Sequence, residues 1–370
     1  MSSSTVALDR FRSTKSGREK PGRFWKIDLE AIAPREPVVG GGVELAISNP
    51  NARAIVCDLA TAKREHAALL ERAFGKTSAA TTKFGALAFA YAESGAFVYV
   101  PADAACDDPI SIVHRIRDGA NAFPYTVVFA ERGARVTVVD RWEGGDGAFV
   151  CGATEIVTAG DAHVTYACAQ LLHPNAQAIS TRAALPGRNA RVAWTCAELG
   201  SALSVADLSV SIDHPGIDSE IATIFFPNGN QHVDIVSTVD HRAGESQSVT
   251  IVKSASTDKG QGRYLGNIRI AAHAQGSDAS LRDDALLLSK ASHIDSVPAL
   301  EIAANDVKAY HGATVGALDN EAIFYMESRG IDRRAAERMI AIGFFEPAIE
   351  RFPTAALRDE LRRAIEGKLA

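Results

Sequence analysis

No apolar run in this sequence approaches the roughly 18 to 20 residues that cross a bilayer as a helix, and the first 30 residues hold no apolar signal core. Both absences point to the cytoplasm. A basic excess is missing too: 39 Lys and Arg stand against 45 Asp and Glu, a net charge of −6. The phosphate neutralisation that supplies most nucleic-acid affinity is therefore lacking, and a nucleic-acid partner is excluded with it. Cysteine is scarce. Cys57, Cys106, Cys151, Cys168 and Cys196 are an odd number, the closest two 17 positions apart, which suggests neither a disulfide framework nor a Cys-x-x-Cys metal site. Reduced thiols in core packing are the expectation.

What is present is a globular composition, 46% hydrophobic over 370 residues, enough for two or three structural units. Met1 to Lys20 is rich in Ser, Arg and Lys and reads as a mobile tail, with a transit peptide as the alternative. Asp58 is placed to cap a helix from Leu59 to Phe74, ended by Gly75. Residues 1–83 are thus expected to be a tail and a helical region.

From 84 to 318 the texture changes to short runs of Val, Ile, Thr, Phe and Tyr between Gly, Asp, Asn and Pro, as in Tyr125 to Ala130, His163 to Gln170 and Val233 to Asp240. More than about 200 residues pass without one convincing amphipathic helix, which excludes a doubly wound sheet. A large sandwich and a solenoid of short strands remain. The even spacing of Tyr264 to Ile270, Ala279 to Leu288, His293 to Ile302 and Val307 to Val315 favours the solenoid. Residues 319–370 return to helix: Glu321 to Arg329 ends at Gly330, Asp332 caps Arg333 to Arg351, Pro353 breaks the chain and Thr354 caps Ala355 to Lys368. Phe324, Tyr325, Phe344, Phe345 and Phe352, with Met339, make this region rich in aromatic and large apolar side chains, some to cover the solenoid end and the surplus to form a docking face.

Several motifs fail on spacing. Gly75-Lys76-Thr77 imitates the end of a phosphate-binding loop, but Leu70 stands where that motif needs glycine. Gly260, Gly262 and Gly266 miss the dinucleotide spacing. His163 and Cys168 face opposite sides of a straight strand, and the adjacent pairs Asp213-His214 and Asp240-His241 share that defect. No Gly-x-Ser-x-Gly elbow supplies a nucleophile. Asp283-Asp284 reads as a solvated corner rather than an acid-base pair.

The last third carries a specific likeness. Leu286-Leu287-Leu288-Ser289, Pro298-Ala299-Leu300-Glu301-Ile302, Asp306-Val307-Lys308-Ala309-Tyr310-His311-Gly312-Ala313-Thr314-Val315-Gly316, Phe324-Tyr325 and Ser328-Arg329-Gly330-Ile331 resemble the SufD family of the SUF iron-sulfur cluster assembly system. Trp25-Lys26, Asp28-Leu29, Val98 to Pro101 and Pro109-Ile110 add weaker echoes. The resemblance implies a mainly β fold, a right-handed parallel β-helix flanked by N-terminal and C-terminal α-helical regions. It implies a non-catalytic scaffold subunit that pairs with SufB through the β-helix and docks the SufC ATPase on the C-terminal helices. It also implies a transient iron-sulfur cluster in the complex and none held stably by this chain alone.

His311 is the one matched side chain carried over as a candidate cluster-related ligand at the SufB interface, since neutral imidazole is a sound iron ligand. At period two with Val307 and Ala309 it is expected inward or interfacial. Phe324, Tyr325, Arg329, Gly330, Phe344 and Phe345 are the candidate SufC docking region. The sequence departs from the family where Cys-Ser commonly precedes the His-Gly; here Ala309 and Tyr310 stand, and a thiolate is missing beside the imidazole. A homodimer is plausible for the isolated chain. Two alternatives stay open: a SufB-like primary scaffold and a carbohydrate-active β-helix enzyme.

Overall fold

The structure is a computed structural model that describes residues 40–92 and 94–369. The sequence readings at Met1 to Lys20, Trp25-Lys26 and Asp28-Leu29 lie outside the described residues.

In chain order the elements begin with β1 (Val43–Ser48), β2 (Ile55–Asp58), α1 (Leu59–Glu65), α2 (Ala67–Leu70), α3 (Lys83–Ala90), β3 (Gly95–Val100), β4 (Ile110–Ile116), β5 (Asn121–Ala122), β6 (Tyr125–Ala130), β7 (Arg135–Gly144) and β8 (Phe149–Thr158). They continue with β9 (His163–Leu172), β10 (Gln177–Leu185), β11 (Arg191–Glu198), β12 (Leu203–Ile212), β13 (Asp218–Phe225), β14 (His232–His241), β15 (Gln247–Ser256), β16 (Gln261–Ile270), β17 (Asp278–Leu287), β18 (His293–Ile302) and β19 (Lys308–Ala317). Three helices close the chain, α4 (Asn320–Ser328), α5 (Arg333–Ile349) and α6 (Ala355–Lys368).

Successive strands alternate between two sheets. One sheet runs β1-β4-β7-β9-β11-β13-β15-β17-β19 and the other β18-β16-β14-β12-β10-β8-β6-β3-β2, with β5 beside β8. Every pairing is parallel except β1 with β4 and β2 with β3, so the fold is a parallel β-solenoid and not a sandwich of antiparallel layers. Positions 163, 191, 218, 247, 278 and 308 stack in register, so each coil advances the chain by about 30 residues. Stacking in register lets like residues pile up. Ile110, Val138, Tyr166, Trp194, Ile221, Thr250, Leu281 and His311 form one inward column, fully buried except at its last member. Burying each large apolar side chain of such a column stabilises the fold by about 1.5–3 kcal/mol.

The expected N-terminal helical region contains two strands. Val43–Ser48 and Ile55–Asp58 pair antiparallel onto the first coil and cover its edges. Asp58 caps as expected, its carboxylate accepting from the Thr61 amide at 2.8 Å. The single helix from Leu59 to Phe74 is interrupted at His66, whose backbone (φ −129°, ψ 29°) leaves the helical region. Helix α3 crosses the expected boundary between 83 and 84. It closes on the preceding turn only because residue 85 is glycine: a Cβ there would sit 1.6 Å from the Ala79 carbonyl oxygen. Leu59, Leu70, Phe84 and Leu87 pack with Phe97, Tyr125 and Phe149 over the outer face of the second sheet.

The C-terminal helices begin where the sequence places them. Asp332 accepts from the Ala335 amide at 3.1 Å and Thr354 from the Leu357 amide at 3.2 Å. Their packing differs from expectation. Ala341, Phe345, Ile349, Phe352, Leu357, Leu361 and Ile365 lie with Ala167, Ala197, Leu199, Ile224 and Phe226 along the outer face of the first sheet, not over the solenoid end. Ala167, Ala169 and Leu171 of β9, Ala197 of β11 and Ile224 of β13 face outward, and with Leu199 and Phe226 just past the strand ends they make the apolar strip that the helices bury. The far edges of β18 and β19 pair with no strand among the described residues.

Candidate interface and ligand site at the open end of the solenoid

The open end follows from the chain running out of coils. Among the described residues β19 pairs only with β17, and β18 only with β16. An unpaired parallel edge presents a row of free backbone donors and acceptors, which invites another strand. The side chains there match that role. Among the described residues the exposed large hydrophobics are Val249, Val297, Ile302, Tyr310, Val315, Phe324, Tyr325 and Met339, so all but Val249 fall on the last coil and the helices that follow it. Such concentration marks an interaction surface rather than scattered surface apolarity.

His311 stands in the inward column directly beneath Leu281, as Ala309 stands beneath Ala279. It is nevertheless exposed, because among the described residues no further coil lies below it. The period-two reading thus gives the face, and the open end gives the exposure. Tyr310 points the other way and folds over Gly312, where a Cβ would meet its hydroxyl oxygen at 2.6 Å. One coil deeper, Asp283 faces the interior and accepts a hydrogen bond from Ser296 of β18, while its Oδ1 is buried without a partner. Burial pushes the Asp283 carboxyl up to about 7. Its neighbour Asp284 faces outward. Burial opposes its charge, yet Lys253 Nζ at 2.8 Å and Arg282 Nε at 2.9 Å hold its carboxyl below the usual range. The solvated-corner reading of this pair is therefore wrong: both carboxylates are buried, since they sit mid-strand on β17 and not at a corner.

The six residues expected at the ATPase docking region divide into two groups. Phe324 and Tyr325 are exposed on α4, the Arg329 guanidinium lies 5.0 Å from the Tyr325 ring centre, and Gly330 ends the helix at φ 85°. Phe344 and Phe345 belong elsewhere. Phe345 is fully buried, 5.8 Å from the Phe226 ring, and so is core and not docking surface. Phe344 is half-buried, with Lys253 Nζ 4.5 Å from its ring centre. Adjacent positions on one helix diverge, and the inward one of the two took the aromatic slot above β13.

Gly75-Lys76-Thr77 does bind an anion, but the anion is internal. Glu155 Oε1 accepts from the Gly75 amide at 2.6 Å and the Tyr125 hydroxyl at 2.6 Å, and Oε2 accepts from the Thr77 amide and hydroxyl at 2.8 Å each. The solenoid interior also holds polar groups that the sequence reading did not assemble. Asp140 accepts from Thr126 at 2.7 Å and from Tyr166, and lies 3.3 Å from His114 Nε2, all sealed from solvent. Among the described residues no three His, Cys, Asp or Glu side chains converge as a metal site, and no helix is long and apolar enough to cross a membrane.

These features define a stacked-coil protein with one unpaired, apolar end and helices laid along one flank. Residues 114–344 match the family model described as SUF system FeS cluster assembly, SufBD core domain, and the chain belongs to that family. It is 29% identical over 301 residues to an iron-sulfur cluster assembly SufBD family protein of Staphylococcus saprophyticus, covering 80% of this chain and 65% of that protein. It is 27% identical over 324 residues to the iron-sulfur cluster assembly protein SufD of Bacillus subtilis, covering 85% and 74%. A SufBD family protein of Staphylococcus aureus is 28% identical over 301 residues. The match thus spans 65% of the length of the staphylococcal relatives.

Proposed function

We propose that this chain is a SufD-like scaffold subunit of the SUF machinery in the cytoplasm. It pairs with a SufB-type homologue through the open β18 and β19 edges and carries a SufC-type ATPase on its C-terminal helices. The observation that carries this reading is the unpaired terminal coil, where the exposed apolar side chains and His311 lie together. A partner coil set against it would cover Val297, Ile302, Tyr310 and Val315 and bring further ligands to the imidazole. One histidine cannot hold a cluster, so the cluster is the complex's cargo and not a resident group of this chain. The exposed face of Phe324, Tyr325 and Arg329 supports an ATPase contact, from which nucleotide-driven movement would pass into the paired solenoids. In this role the chain itself turns over no substrate.

The test has two arms. Tagged chain is purified from native extract, with SufB-type and SufC-type proteins expected to copurify; their absence overturns the assignment. The complex carrying His311→Ala is then reconstituted anaerobically. Lower cluster content with unchanged subunit stoichiometry supports the ligand role, and unchanged content and transfer remove His311 from it.

A further inference from the structure

Cys168 and Cys196 are far apart in sequence, and register brings them together. They stack in adjacent coils, Cys196 of β11 directly on Cys168 of β9, in the same in-register ladder as Trp194 on Tyr166. Both thiols are free and buried. The opposite sheet sends in Arg182, itself buried, which pairs with Glu198 at 2.7 Å while its Nε has no partner. Ser204 holds the other Glu198 oxygen at 2.7 Å.

Two physical facts make this pair reactive toward each other. In-register strands lie about 4.8 Å apart, inside the 4.4–6.8 Å window of Cα separations seen in disulfides. A guanidinium beside a thiol favours the thiolate, the attacking form. The neighbouring Cys168 thiol, and then Arg182, hold the Cys196 thiol below its ordinary range against the cost of burial, while burial pushes Cys168 up. One thiol primed and one held protonated is the asymmetry a dithiol needs to close in two steps.

We propose that Cys168 and Cys196 form an oxidisable dithiol that closes to a disulfide between successive coils under a hydroperoxide. Each cysteine loses its S–H proton and the two sulfurs join. The two electrons released break the peroxide O–O bond, and with the two protons yield two waters when the oxidant is hydrogen peroxide. The disulfide would clip together coils separated by about 28 residues of chain, locking the middle of the solenoid.

The full chain is treated with hydrogen peroxide until its alkylatable thiols stop changing, then quenched in acid, alkylated under denaturing conditions, digested and mapped by mass spectrometry. The expected result is loss of two of the five alkylatable thiols, a linked peptide carrying Cys168 and Cys196, and full recovery with dithiothreitol. Cys168→Ser should abolish the linked peptide and leave Cys196 to over-oxidise. Full alkylation of both cysteines at the end point, or their conversion to sulfonic acids with no link in the parent chain, overturns the proposal. Neither outcome bears on the partner pairing proposed above.

Discussion

Glu155 on the second sheet closes on Thr77, whose amide and hydroxyl both donate to its Oε2 at 2.8 Å. With the Gly75 amide and the Tyr125 hydroxyl on Oε1, this buried carboxylate takes four donors and pins the segment between α2 and α3 to the solenoid. Charge-assisted hydrogen bonds are about twice as strong as neutral ones, and orphaned buried donors each cost about 1–3 kcal/mol. Glu155→Ala is expected to destabilise the chain by about 2–4 kcal/mol in chemical denaturation. A loss below about 1 kcal/mol would mean that water replaces the carboxylate and that the loop is held by its apolar contacts.

Asp234 and Arg263 form a second buried relationship, stacked one coil apart with Arg263 Nη2 2.7 Å from Asp234 Oδ1 and both sealed from solvent. A buried pair is weak evidence of net stability, but removing one partner strands a charge at about 3–5 kcal/mol. Asp234→Ala should therefore cost far more than Asp234→Ala combined with Arg263→Met, measured as denaturation midpoints. Equal losses in the single and double variants would show that the arginine finds another partner.

The sequence makes the strand texture and the helix caps legible because both are local. Period-two runs mark β9 and β14, and Asp58, Asp332 and Thr354 each cap the helix that follows. The likeness in residues 286–331 gives the family. What is not legible is anything set by register. Cys168 and Cys196, or Asp234 and Arg263, are separated by a whole coil, and coils vary by a residue or two, so no fixed spacing links them. The same holds for Glu155, which meets residues 75 to 77 only when the helical segment folds onto the second sheet. The side of the solenoid that the C-terminal helices cover was also hidden, because it depends on which outward residues of β9, β11 and β13 are apolar. Period two alone gives the face on which His311 lies, but its exposure depends on being in the last coil.

Phe345 and Phe324 should separate sharply on mutation. Phe345 is fully buried against Phe226 and Phe344, and truncating such an aromatic costs about 3–5 kcal/mol. Phe324 is 72% exposed, and its loss should change stability by no more than about 0.5 kcal/mol. Limited proteolysis should release the C-terminal helices in Phe345→Ala and not in Phe324→Ala. Copurification of an ATPase subunit should fall in Phe324→Ala at unchanged melting temperature. If that variant retains the subunit fully, α4 is not the docking face.

Asp283 gives a pH signature with a definite sign. Its folded carboxyl is raised by burial from the ordinary value of 3.8 to about 7, so between about pH 4 and pH 7 the folded chain binds a proton that the unfolded chain has lost. Stability contributed by the neutral form is therefore full below about pH 4 and declines as pH rises toward 7. His241 works against this: burial lowers its imidazole to about 4, so its contribution grows as pH rises from about 4 to 6.5. Net stability of the parent mixes the two, and only a difference isolates one. Asp283→Asn keeps a group that accepts from Ser296 but cannot ionise. Relative to the parent it should gain stability steadily from pH 4 to pH 7 and hold that gain at pH 8, in melting curves taken at each pH. A difference that is flat across this range would show that Asp283 is solvated in the folded chain, and that the end of the solenoid admits water one coil deeper than its burial indicates.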